Sequence, residues 1–169
     1  MENHIRLISQ RLRWIVLSLS IIAFCYVVVN YMLYEKVVFN SNHPVFIELW
    51  RDYSQAHTQL LIGQLPSFFL GLSMVYWVWK LFGHYANGEF FGVKSNRCYL
   101  WLVWIYGLGI PVSMLHSIWL AYLSSELQNT FSLMLEVDLS KLFTLFVLIS
   151  IVYILRAAMH IEQENKEFV

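Results

Sequence analysis

Six histidines stand among long apolar runs, and they are the side chains in this chain best suited to chemistry. Imidazole ligates metals in its neutral form and carries protons near neutral pH. The spacing argues against both uses. The chain contains no HxxxH, HExxH or CxxC pattern. Axial ligation of a haem needs two histidines at one depth on facing helices. His4 and His43 fall in peripheral segments, and His57 lies more than a turn above His116. His84 and His160 both fall near one membrane surface, so they are not a buried pair. No nucleophile–base pair or acidic dyad lies within the apolar runs. The expectation is a protein without catalytic residues, metal or cofactor, and therefore not an enzyme.

Four apolar blocks must position these residues, at 14–34, 60–82, 99–123 and 139–158. Each is close to the ~20 residues that carry a helix across a bilayer's hydrocarbon core. The 169-residue chain is 59% hydrophobic and 13% charged, where soluble domains carry about a quarter charged residues. The expected fold is an all-α, integral membrane four-helix bundle, with residues 1–169 forming a single transmembrane domain. The net charge of +0 gives no field that would draw nucleic acid, so direct nucleic-acid binding is not expected.

The basic residues are unevenly placed. In an alternating four-span topology Arg6, Arg11, Arg13, Lys80, Lys94, Arg97, Arg156 and Lys166 fall on one side. Only Lys36, Arg51 and Lys141 fall on the other. The positive-inside bias then puts both termini in the cytoplasm. A cleavable signal peptide has an apolar core of only about 7–15 residues and a small-residue cleavage site. The first block is longer and ends in Asn30-Tyr31-Met32-Leu33-Tyr34-Glu35, so it reads as an uncleaved first span with inner-membrane insertion. Cys25 and Cys98 differ in depth by roughly 10 Å or more, too far for a disulfide.

Ile5, Leu7, Ile8 and Leu12 alternate with Arg6, Arg11 and Arg13 in an amphipathic lead-in to the first span. The first outer loop carries a second helical signal, with Pro44 suited to a first turn and Asn42 or His43 as cap. Phe46, Leu49, Trp50 and Tyr53 recur at helical spacing, which predicts a short interfacial helix or an extension of the second span. The third block holds Gly107, Gly109 and Pro111, which predicts a kink.

Depth counted along the blocks brings Asn30, Gln64, His116 and Thr144 to one outer-leaflet level. Polar groups within spans usually face the bundle interior and find partners there. This intramembrane cluster is either mutual packing or a small cavity open to the outside that takes a polar ligand or a proton. The opposite surface carries the loop 82–97 and the tail 156–169. Asn87-Gly88 is a helix stop. Ser95 or Asn96 is a cap for the third span. Arg156, His160 and Glu164 share one helix face at i,i+4 spacing.

Gly88, Glu89, Phe91 and Asn96 in the loop, and Glu164, Asn165, Phe168 and Val169 in the tail, form a pattern. So does the Leu12-Arg13-Trp14 entry to the first span. Together they resemble a family of bacterial four-helix membrane proteins, domain of unknown function 2975 (DUF2975). Gly92 departs from that family's usual Ser or Thr, which moves the expected cap to Ser95 or Asn96. The resemblance implies no enzymatic activity. Some family members are encoded beside a small helix-turn-helix regulator, which implies by association a cytoplasmic protein partner of that kind.

The reading is a non-enzymatic inner-membrane protein that acts by interaction, in sensing or regulation. Its cytoplasmic face would comprise Gly88, Glu89, Phe91, Asn96, Arg156, His160, Glu164 and Asn165. The alternative is a small-ligand carrier or cofactor-binding membrane protein that uses the outer-leaflet cavity.

Overall fold

The computed structural model describes residues 2–34, 43–89, 92–128 and 139–167. Among the described residues all regular structure is helical. The elements are α1 (Glu2–Tyr34), α2 (Pro44–Asp52), a 3-10 turn (Ser54–Ala56), α3 (His57–Ala86), α4 (Val93–Gln128) and α5 (Leu139–Glu167). The four apolar blocks fall inside α1, α3, α4 and α5. These four are long and apolar enough to cross a membrane. Their outward faces carry Leu19, Phe69, Trp104 and Phe146, all more than half exposed. Such faces suit hydrocarbon, and the chain has the makeup of a membrane protein.

The helices overrun the apolar blocks. The lead-in with Arg6, Arg11 and Arg13 is no separate segment but the first turns of α1. Helix α4 is continuous through Pro111, and α3 is continuous through Pro66. Each proline withholds one backbone donor from the carbonyl four residues earlier.

The chain divides into two compact units. One takes Ile21–Gly71 and Gly109–Val137; the other takes Met1–Ser20, Leu72–Leu108 and Asp138–Val169.

The first of these is organised around α2. Pro44 opens the helix, where its missing N–H costs nothing. The His43 carbonyl accepts the first turn's bond from the Ile47 N–H at 3.2 Å. Val45, Phe46 and Leu49 are buried with Ala56, Leu60, Leu120 and Leu123. The face foreseen from Phe46 and Leu49 is therefore an inner face packed on protein. Trp50 and Tyr53 lie half-buried at the edge of this core. The Trp50 ring stacks on His57 at 3.8 Å, and His57 Nε2 donates to the Trp50 carbonyl at 2.8 Å. Close approach near α3 depends on Gly63, where a Cβ would sit 2.8 Å from the Trp119 indole.

The other unit is tied by rings and cations. Trp77 stacks on Trp101 at 5.4 Å, and the Tyr85 hydroxyl donates to that of Tyr99 at 2.6 Å. The Arg13 guanidinium lies 3.9 Å from the Trp79 ring centre, and Lys80 Nζ lies 4.7 Å from that of Trp77. A cation over an aromatic face gains about 0.5–2 kcal/mol, more as water is removed.

Leu49 is wholly buried, whereas Ile47 on the same helix is 46% exposed. Leu49→Ala should lower unfolding stability in detergent by about 2–5 kcal/mol, through lost burial and the cavity left behind. Ile47→Ala should change it by no more than about 0.5 kcal/mol. Thermal denaturation followed by circular dichroism measures both.

Candidate functional site

Of the residues expected on the cytoplasmic face, Gly88, Glu89 and Asn96 meet at the α3–α4 turn. Helix α3 ends as Asn87-Gly88 led us to expect. Gly88 has φ +82, a conformation that costs side-chain-bearing residues about 1–2 kcal/mol. Its N–H bonds the Tyr85 carbonyl at 3.0 Å, and the Glu89 N–H bonds the His84 carbonyl at 3.0 Å. This is a Schellman ending, and it satisfies carbonyls that the helix would otherwise leave open. Arg6 closes over the turn: a Cβ at Gly88 would lie 2.5 Å from Arg6 Nη2.

Glu89 then locks the turn. Its Oε2 pairs with His84 Nδ1 at 3.0 Å, and its Oε1 accepts from Lys94 Nζ at 3.2 Å. Its carbonyl accepts from the Ser95 hydroxyl. One residue thus joins the end of α3 to the start of α4. The Lys94 ammonium, bonded to the carboxylate, holds the Glu89 carboxyl below its ordinary value, and His84 adds to this.

The start of α4 differs from expectation. Val93 is already helical, and the Gly92 carbonyl accepts the first intrahelical bond, from the Asn96 N–H at 3.1 Å. Gly92 therefore occupies the capping position, which glycine fills at little cost. Ser95 and Asn96 lie inside the first turn. Ser95 reaches back to Glu89, and Asn96 Oδ1 is buried without a donor among the described residues.

Phe91 lies outside the described residues. Arg156 is exposed on α5. His160, Glu164 and Asn165 belong to the helical backbone of α5, but their side chains lie outside the described set.

Of the intramembrane polar residues, the structure joins two. The Gln64 amide nitrogen donates to His116 Nε2 at 3.1 Å, and both side chains are buried. Asn30 instead donates to the Tyr26 carbonyl of its own helix at 2.8 Å. Thr144, in the other unit, donates to the Ser140 carbonyl at 2.8 Å. The pair gains a neighbour that depth counting missed. The His43 ring stands edge-on to His116 with centroids 6.4 Å apart. The available signal was Pro44: a helix that starts there and buries Val45 and Phe46 carries His43 inward with it. Beside the pair is a cleft of about 270 Å³ lined by Gly63, Pro66, Leu115, His116 and Trp119. Among the described residues no cluster of three or more His, Cys, Asp or Glu has the geometry to hold a metal.

Comparison with models of protein families, with curated proteins and with solved structures gives no match.

Two measurements test these geometries. Because Glu89 is held below its ordinary value of 4.5, its contribution to stability is present above that pH. It is lost as pH falls through the lower, folded value. Thermal midpoints of the intact chain should fall in that acidic window more steeply than those of Glu89→Gln. Separately, a double-mutant cycle on Gln64→Leu and His116→Leu should give a coupling of about 0.6 kcal/mol, reaching about 1.7 kcal/mol at most.

Proposed function

We propose that this chain is a non-enzymatic protein of the bacterial inner membrane that acts by binding a cytoplasmic protein partner. In this reading α1, α3, α4 and α5 form a four-helix bundle with both termini in the cytoplasm. Helix α2 lies at the outer interface, with Trp50 and Tyr53 at its edge. The positive-inside distribution of charge supports that orientation. The resemblance to the DUF2975 family is part of the same proposal, and it points to a small helix-turn-helix regulator as the class of partner.

The observation that carries the reading is the Glu89-locked turn. A connection of this length needs only to reverse the chain. Here it is fixed by a Schellman ending, a carboxylate bonded to two cations or donors, and a hydroxyl-to-carbonyl bond. A surface held this firmly loses little further entropy when a partner docks. Arg156, His160, Glu164 and Asn165 on the α5 extension supply the second part of the face.

A second reading rests on the Gln64–His116 pair and the cleft beside it: a small-ligand or cofactor-binding membrane protein open to the outside. A ligand of that site would raise the thermal midpoint of the intact chain and leave His116→Ala unmoved.

Affinity capture from native membranes distinguishes the two. The intact chain should recover a specific protein. Glu89→Ala, and truncation after Ala158, should lose it while still inserting. An intact chain that recovers no specific protein overturns the leading reading.

A further inference from the structure

We propose that the groove between α4 and α5 is a binding site for one anionic phospholipid, with an acyl chain along the groove and the phosphate on Arg156. This goes beyond the partner-binding reading: it gives Arg156 a ligand of its own and takes from that reading only the orientation that names the leaflet.

The groove has a cavity volume of about 500 Å³ and lies wholly within one unit. Such a volume is within the ~300–1,000 Å³ of ordinary ligand clefts. Gly107 adds no side chain to the groove, where a Cβ would rest against Leu145 at an ordinary contact distance of 3.6 Å. Val152 is buried beside it, and the exposed rings of Trp104 and Tyr153 stand along the groove. The lining is apolar apart from Arg156, which is its sole charged member. No ion pair of Arg156 occurs among the described residues.

Length identifies the occupant. From Leu145 to Arg156 the lining covers eleven steps of α5, about 16 Å at ~1.5 Å per residue. That is about half of the ~30 Å hydrocarbon core, the depth of one leaflet. A slot as deep as one leaflet, ending at a guanidinium, matches a lipid rather than a compact solute. Guanidinium pairs with phosphate through two parallel N–H bonds. Zwitterionic lipids offer the same phosphate beside a cation that repels Arg156, so the preference is for a net negative headgroup. On the orientation proposed above, the leaflet is the cytoplasmic one.

Brominated lipids test this, because bromine in an acyl chain quenches a tryptophan it touches. The full chain is reconstituted in phosphatidylcholine vesicles carrying a minor fraction of brominated phosphatidylglycerol or of brominated phosphatidylcholine. The signal of Trp104 is the difference between the intact chain and Trp104→Phe. Quenching should show about fivefold preference for phosphatidylglycerol, which corresponds to about 1 kcal/mol for one basic residue at an anionic headgroup. Arg156→Lys should keep most of that preference and Arg156→Gln should abolish it. Gly107→Leu should reduce quenching by both lipids. Helicity by circular dichroism confirms that each variant is folded. Equal quenching by the two lipids in the intact chain overturns the proposal, because the groove then holds only bulk lipid. Unquenched Trp104 with a dimer cross-linked through α4 and α5 also overturns it, because a second copy then fills the groove.

Discussion

A peptide group in hydrocarbon has no water to bond, so every N–H and C=O must find its partner within the protein. The helices of this chain follow from that requirement. Their lengths exceed the apolar blocks because a helix that stops inside the bilayer would expose its last carbonyls. Irregular backbone among the described residues is confined to the connections beyond the long helices. The same requirement governs the hydroxyls. Ser20, Ser113, Ser150 and Thr144 each donate to a carbonyl three or four residues back on their own helix. Such bonds need no neighbour and hold at any depth.

That self-sufficiency explains what was legible in the sequence and what was not. The apolar blocks, the helix at Pro44 and the stop at Asn87-Gly88 were legible, because each is a local property of a few residues. The partners of intramembrane polar groups were not. Depth counting placed Asn30, Gln64, His116 and Thr144 at one level, but a polar side chain at a given depth has two ways to be satisfied. Asn30 and Thr144 reach their own backbone. Gln64 is held from α3 against His116 on α4. No sequence spacing separates these outcomes, because the choice depends on which way the helix is turned. The cap at Gly92 escaped for a related reason. Glycine carries no side-chain oxygen to announce a cap, yet it is the carbonyl of the capping residue that receives the first helical bond.

The basic end of the chain shows how cations are kept near apolar surface. Arg13 is half-buried and its Nε lacks a hydrogen-bond acceptor among the described residues. Leaving a charged donor unpaired in a dry site is costly. The Trp79 face, 3.9 Å from the guanidinium, offsets part of that cost electrostatically. Lys80 uses Trp77 in the same way. Long aliphatic stems let both side chains cover apolar surface while their charge rests on an aromatic face. Positive charge is thereby concentrated beside the α3–α4 turn without a matching set of carboxylates among the described side chains.

Glu89 is the exception, and its bonding constrains any account of the turn. Its two carboxylate oxygens, its carbonyl and its N–H are all engaged within the turn. Each carboxylate oxygen keeps a further lone pair and the side chain is 39% exposed, so Glu89 holds both partners and still faces solvent. What the carboxylate does within the chain is tie the end of α3 to the first turn of α4. Removing its carboxylate frees Lys94 and His84, while the Ser95 bond and the Schellman bonds at Gly88 persist because they rest on backbone atoms. The intact turn leaves Lys94 exposed on the first turn of α4, while Asn96 Oδ1 is buried.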